Sequence, residues 1–342
     1  MFVIVLRPIH IKDLSSLEQF AKIPGMFSLP NERVKLKKLI ERSNRSFARE
    51  HTRPEEDKFI FVAEDFETHE VRGTSMVTAK HGTETEPHFY FQVGNEEKYS
   101  QTINTGFIHG TLELKADTDG PTELGGLVID ADFRKSEKKY GRNISFVRFL
   151  FVALHREYFQ NQMIAELLPP LNQEGQSPLW EAIGRRFTNM NYWEADALCQ
   201  KNKEFILSLF PTGKIYTSFL APDARDSIGK VGPETKGAFH LLTQIGFEYN
   251  GQVDPFDGGP HLWANIDDIS LFKKIKKVEI KAKEISKGTM GILHLSQHKE
   301  FLAVSVTGEL TEDQLCLDLK TVKSIEKLIG EELKIGTWMP TL

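Results

Sequence analysis

A chain of 342 residues with a formal net charge of −5 and two cysteines excludes several function classes at once. General nucleic-acid binders carry a basic excess, disulfide-stapled secreted domains need more cysteines, and a membrane span needs roughly 20 consecutive apolar residues, which no segment supplies. The length fits two domains or one with an addition, and the cysteine usage fits a reducing, cytoplasmic compartment.

The apolar start Met1-Phe-Val-Ile-Val-Leu-Arg-Pro is too short for a signal-peptide core, so Val3 to Leu6 is expected as a first strand. Apolar spacing predicts helices from Lys12 and over Asn31 to Ala48. Phe59 to Ala63 and Gly73 to Ala79 then read as an antiparallel pair joined by the turn-rich Asp65 to Arg72. Further strands are expected at His88 to Val93, Gly110 to Lys115 and Leu124 to Ile129, followed by a helix at Ile144 to Tyr158. A strand at Met163 to Leu167 and helices at Pro178 to Phe187, Lys203 to Phe210 and Thr235 to Ile245 come next, with a strand at Ile215 to Leu220. From Lys273 onward, Val278 to Ala282, Met290 to Leu295 and Phe301 to Val306 suggest a small β-rich appendage.

The stretch from Glu123 to Phe159 is the most informative. A glycine-bearing, apolar strand leads through a basic loop (Arg134, Lys135, Lys138, Lys139, Arg142) into a helix, with Gly141 at the turn. The first amides of a helix lack intrahelical partners and sit at the positive end of its dipole, so this order suits a diphosphate. A loop whose charges are merely solvated is the alternative.

Reactive motifs are otherwise scarce. No Gly-x-Ser-x-Gly, His-Glu-x-x-His or P-loop pattern occurs, and histidines such as His81, His88, His109, His155 and His261 show no ligand spacing along the chain, so no metal or prosthetic group is expected. The segment Val253-Asp-Pro-Phe-Asp-Gly-Gly-Pro-His261 is a rigid turn carrying Asp254 and Asp257. Fixed carboxylates pair well with a guanidinium; equally, such a turn can consume its aspartates on its own backbone.

The chain resembles the arginine N-succinyltransferase family of the GNAT acyltransferase superfamily from Arg7-Pro to about Ile269. The resemblance rests on Ser28-Leu-Pro, Glu123-Leu-x-x-Leu127, Phe133-Arg-Lys135, Gly141 with Ser145, Arg148-Phe, Ala165-Glu, Ser177-Pro-Leu-Trp, Ile183-Gly-Arg-Arg-Phe, Ala195-Asp, Ile215-Tyr-Thr, Ile228-Gly-x-Val and Phe256-Asp-Gly-Gly-Pro260. It implies an α/β mixed-sheet, GNAT-like acyltransferase fold. It also implies succinyl transfer from succinyl-CoA to the α-amino group of L-arginine in arginine catabolism. Leu127 falls on the family's succinyl-CoA contact, and Arg134, Gly141 and Arg142 on its diphosphate loop. The implied partners are L-arginine and acyl-CoA, with neither nucleic acid nor membrane; the resemblance is compatible with a homo- or heterodimer.

Two positions depart from the family pattern. Its loop follows Arg-x-x-Gly-x-Gly, whereas here the loop is longer and Lys139 stands in the first glycine's place. Its histidine proton donor before a proline is replaced by Gly232, leaving Tyr140, His261 or water as candidate substitutes. Alternatives are therefore acylation of another amine such as ornithine, or a catalytically weakened CoA-binding sensor. The expected division is residues 1–195 as a GNAT-like acyl-CoA-binding domain, 196–272 as a second, related unit contributing to the acceptor site, and 273–342 as the appendage.

Overall fold

The computed structural model describes residues 4–23, 28–51, 53–199 and 202–341; the expected strand residue Val3 lies outside them. In chain order the elements are β1 (Ile4–Pro8), α1 (Leu14–Ala21), α2 (Arg33–Phe47), β2 (Lys58–Asp65), β3 (Val71–Thr78), β4 (His88–Ser100), β5 (Thr105–Asp117), β6 (Thr122–Ile129), α3 (Tyr140–Leu154) and β7 (Gln162–Glu166). They continue with α4 (Pro178–Ala182), α5 (Gly184–Thr188), α6 (Tyr192–Cys199), α7 (Glu204–Leu209), β8 (Ile215–Tyr216), α8 (Pro222–Ser227), α9 (Lys236–Thr243), β9 (Glu248–Val253) and β10 (Pro260–Asn265). Last come β11 (Lys276–Ala282), β12 (Thr289–His294), β13 (Ala303–Thr311), β14 (Gln314–Leu317), α10 (Leu319–Ile329) and β15 (Ile335–Pro340). Among the described residues no helix is long and apolar enough to cross a membrane.

Two compact units interleave along the chain: Met1–Ala79, Leu124–Asn161 and Ile266–Leu342 form the first, and Lys80–Glu123 with Gln162–Asn265 the second. The expected boundaries at 195/196 and 272/273 do not coincide with them, because strand pairing joins segments remote in sequence.

In the first unit the strands run β12-β15-β11-β14-β13-β1-β2-β3-β6. Strand β1, buried along its whole length, pairs antiparallel with β2 (Leu6↔Ala63) and with β13 (Ile4↔Ser305). The C-terminal segment is β-rich as read, but it is no appendage: β13 continues the N-terminal sheet. Helix α10 was not expected there, although Val322 and Ile325 form a buried stripe at helical spacing and Gly330 (φ 76°) ends the helix in the left-handed conformation. Helices α1 and α2 cover Ile60, Val62, Met76 and Val128 with Leu17, Phe20, Leu36 and Ile40. Helix α3 is apolar around most of its circumference and accordingly buried; Phe151 meets Phe61 and Phe301 edge-on at 5.3 and 5.1 Å. The guanidinium of Arg7, in the Arg-Pro pair at the chain start, is buried between Asp13 and Glu64, donating to both at 2.6–2.9 Å.

In the second unit the strand order is β7-β10-β9-β4-β5-β8, and Thr122 and Glu123 at the start of β6 pair in parallel with Met163 and Ile164. Strands β4 and β5, of 13 residues each, form a hairpin far longer than the six-residue runs expected, because its outer half alternates too weakly to announce a strand. The helix expected over Pro178 to Phe187 breaks at Ile183 (φ −121°, ψ −75°). Gly184 there lies so close to the Trp180 ring that a Cβ would sit 2.2 Å from it, so the chain turns to let the ring pass. The strand expected at Ile215 to Leu220 stops at Tyr216 and continues as a 3₁₀ turn.

Candidate functional site

The first candidate region lies in the first unit, where β6 feeds α3. Strand β6 carries a kink: Gly126 has φ 55°, and a Cβ there would lie 2.3 Å from the Met76 side chain. Only glycine meets both demands. The buried guanidinium of Arg148 braces this kink, donating to Gly125 O at 3.3 Å, Met76 O at 3.4 Å and Ser145 Oγ at 2.8 Å. Burial alone pushes Arg148 down to about 9. Leu127, the next residue after the kink, is half-buried.

The loop between β6 and α3 is anchored at both ends. Arg72 stacks 4.0 Å over the Phe133 ring and reaches Asp130 at 3.6 Å. Asp65 takes Lys138 Nζ at 2.6 Å, the Tyr140 hydroxyl, and the amides of Glu67 and Thr68. Burial would raise the Asp65 carboxyl, yet these donors hold it well below the usual carboxylate range. Tyr140, a candidate proton donor by sequence, is fully buried and spends its hydroxyl on Asp65; burial and that carboxylate raise its pKa. Arg134 is exposed and Arg142 half-buried, and Gly141 and Arg142 lie in the first turn of α3. Lys139, which stands in the family glycine's place, has φ 55° and ψ 43°. The backbone thus keeps a glycine-like left-handed conformation, at a cost of about 1–2 kcal/mol for a lysine.

Asp65→Asn is expected to destabilise the protein by about 2 kcal/mol at neutral pH by weakening these charge-assisted bonds. A depressed folded-state pKa contributes stability above the unfolded value near 3.9, and that contribution is lost as pH falls below it. As denaturation is repeated at falling pH, the gap between wild type and variant should begin to narrow below about pH 4, remain partly open at about pH 3, and close only as pH falls through the depressed folded-state pKa.

The second candidate region lies wholly in the second unit, where strand ends converge. Glu166 ends β7, His261 stands opposite it near the start of β10, His88 begins β4, Asp254 follows β9, and Glu123 lies near the start of β6. His81, in the loop before β4, is tied down by its amide to Pro121 O at 2.8 Å. His81 Nδ1 lies 3.2 Å from Glu123 Oε2, and His81 Nε2 lies 3.1 Å from His88 Nδ1. Glu166 Oε1 is 3.4 Å from His88 Nδ1 and 4.0 Å from His81 Nε2. One ligand atom each from Glu166, Asp254 and His261 likewise fall within 4.8 Å of one another. Three of the histidines without ligand spacing in the sequence, His81, His88 and His261, are thus gathered in space, whereas His109 and His155 lie elsewhere.

Electrostatics follow from this crowding. The surrounding protein lifts Glu166 to about 7 by partial desolvation, although its side chain is still 34% exposed, against the opposing pull of His81 and with Glu123 and Asp254 adding repulsion. His81 is raised because Glu123 and Glu166 outweigh its burial. Burial, with His81 nearby, pushes His261 down to about 3 and His88 well below its ordinary value. His261, the other candidate proton donor, is therefore neutral near pH 7, and neither of its ring nitrogens has a hydrogen-bond partner among the described residues.

The acidic turn sits beside this cluster and largely consumes itself. Asp254 Oδ1 accepts the amides of Phe256 and Asp257 at 2.7 and 3.0 Å, while Asp257 accepts from Gly259 N at 2.7 Å and the Tyr192 hydroxyl at 3.3 Å. Burial raises both carboxyls, and Asp254 adds to the rise at Asp257. The motif segments meet here: Gly229 N donates to Gly258 O at 2.8 Å, Ser177 Oγ to Phe256 O at 3.0 Å, and Trp180 stacks on Phe256 at 4.7 Å. Gly232 N donates to Leu168 O at 2.8 Å, two residues beyond Glu166. Glu123, Glu166, His81 and His88 carry no joint signal in the sequence because they are scattered along the chain; only Glu123 and Glu166 lie within the stretches that carry the family resemblance.

The sequence model described as "Arginine N-succinyltransferase beta subunit" matches residues 4–271. An arginine N-succinyltransferase of Yersinia pestis is 34% identical over 340 residues, 96% of each chain, and one of Escherichia coli is 32% identical over 336 residues, 97% of this chain and 96% of that one. The solved structure of arginine/ornithine succinyltransferase subunit AI from Pseudomonas aeruginosa superposes with a TM-score of 0.83 at 28% identity, covering 98% of both chains. The mixed α/β chain described here therefore belongs to the arginine N-succinyltransferase family.

Proposed function

We propose that this protein transfers the succinyl group of succinyl-CoA to the α-amino group of L-arginine, with the donor bound on a GNAT-like strand-loop-helix. The observation that carries this reading is the braced kink at Gly126 followed by an anchored basic loop and the first turn of α3. Rigid backbone amides near a kinked strand can polarise a thioester carbonyl, and a helix N-terminus with Arg134 and Arg142 suits a diphosphate. The neutral amine attacks the carbonyl carbon, a C–N bond forms and the C–S bond breaks; the proton shed by the nitrogen balances the one the departing thiolate takes up to become free CoA. Gly232 supplies no proton for that last step, and Tyr140 is committed to Asp65.

For the acceptor, Asp257 uses both oxygens on Gly259 and Tyr192, whereas Asp254 uses Oδ1 on the amides of the turn and has a carboxylate oxygen within 4.8 Å of Glu166 and His261. Carboxylates kept close together in a buried setting favour a cation as their neighbour. Succinyl-CoA with arginine should release free thiol above background, and no release would defeat the reading in favour of a CoA-binding sensor. Asp254→Asn should raise KM for arginine by about 10- to 100-fold, the range of one charge-assisted hydrogen bond, and leave KM for succinyl-CoA in place. Ornithine is the second acceptor to assay, because the Pseudomonas relative's name includes it.

A further inference from the structure

We propose that His81, His88 and Glu166 form a binding site for one divalent transition metal ion of the zinc class. Three ligand atoms, His81 Nε2, His88 Nδ1 and Glu166 Oε1, make a triangle with sides of 3.1, 3.4 and 4.0 Å. Ligands about 2.0–2.2 Å from a tetrahedral zinc lie roughly 3.4 Å apart, so this triangle needs only small side-chain adjustments to close on an ion. Two imidazoles and one carboxylate are also the ligand chemistry zinc favours, whereas magnesium and calcium prefer oxygen alone.

Two further observations point the same way. His81 holds its other ring nitrogen against Glu123 Oε2 at 3.2 Å, the carboxylate–histidine support that orients a metal-bound imidazole and raises its basicity. Beside the triangle, His261 is fully buried with neither ring nitrogen hydrogen-bonded to a described residue, and one of its ligand atoms falls within 4.8 Å of Glu166 and Asp254. A buried imidazole without a partner is costly, and a solvent molecule held by the ion would supply one without His261 becoming a ligand. Three protein ligands leave a fourth position of the ion open. The site stands on these residues alone and does not depend on the acyl-transfer reading.

The test uses the full chain, freed of metal by a chelator and titrated with Zn²⁺ in a calorimeter, with Co²⁺ as the spectroscopic probe. One ion per chain is expected, with visible absorption bands of four-coordinate Co²⁺. His88→Ala should abolish the stoichiometric site, Glu123→Gln should weaken it by about 10- to 100-fold, and His261→Ala should retain it. Failure of the wild-type protein to bind Zn²⁺ or Co²⁺ stoichiometrically would overturn the proposal whether or not any variant folds. So would retention in a folded His88→Ala protein, or loss in a folded His261→Ala protein, which would place the ion with Asp254 instead.

Discussion

Replacing Gly141 by valine is expected to remove most succinyl-CoA binding, by about 100-fold or more, while leaving the fold in place. A Cβ at this position would meet only Ile129 Cγ1, at 3.6 Å, which is ordinary van der Waals contact. The protein's own packing therefore does not demand glycine there. If the diphosphate of succinyl-CoA approaches the first turn of α3 as proposed, a branched side chain standing over those amides would take its space. Isothermal calorimetry with CoA, paired with thermal unfolding, separates the two effects. Equal affinity in a stable variant would mean that the diphosphate lies elsewhere. Arg134→Ala and Arg142→Ala act on the same site by charge, and each should weaken binding by about 10- to 100-fold for a direct charge-assisted contact.

The second large effect is expected at Gly232. In sequence, this position invites restoration of the family's histidine, with a gain of up to about 10⁴-fold from a positioned general acid. The structure reverses that expectation. A Cβ on Gly232 would lie 2.6 Å from Pro169 O and 2.8 Å from Leu168 O, and the Gly232 amide is bonded to that same Leu168 carbonyl. Both neighbours are backbone and cannot swing aside. Gly232→His should therefore destabilise the protein by about 1–3 kcal/mol, the usual cost of overpacking, without raising kcat. A variant that melts with the wild type and turns over faster would refute this and return the general-acid role to this position.

Much of the first unit's candidate region was legible in the sequence, because its chemistry is local. A glycine-bearing strand, a run of basic residues and an apolar-striped helix follow one another within Glu123 to Phe159, so periodicity and composition suffice to order them. Lys139 shows where such reading stops: its residue type argued for a changed loop, yet its backbone adopts the left-handed conformation a glycine would have taken. The residues on either side of it, Lys138 and Tyr140, both bond Asp65, 73 and 75 residues earlier, and no local pattern records those contacts.

The sequence by itself determined the mixed α/β class, most of the strand and helix positions, and the basic loop, since side-chain periodicity and glycine placement act over a few residues. Only the tertiary structure decided that residues 273–342 complete the first unit, because the pairing of β1 with β13 joins the two ends of the chain. It also decided that His81, His88, Glu123, Glu166, Asp254 and His261 come together at one place, with His88 and His261 buried and Glu166 at the exposed edge. Their strand ends meet through long-range antiparallel and parallel pairing, and burial then moves their protonation far from its ordinary range. Spacing along the chain carries no trace of that convergence, for sheet register is set by partners scores of residues away.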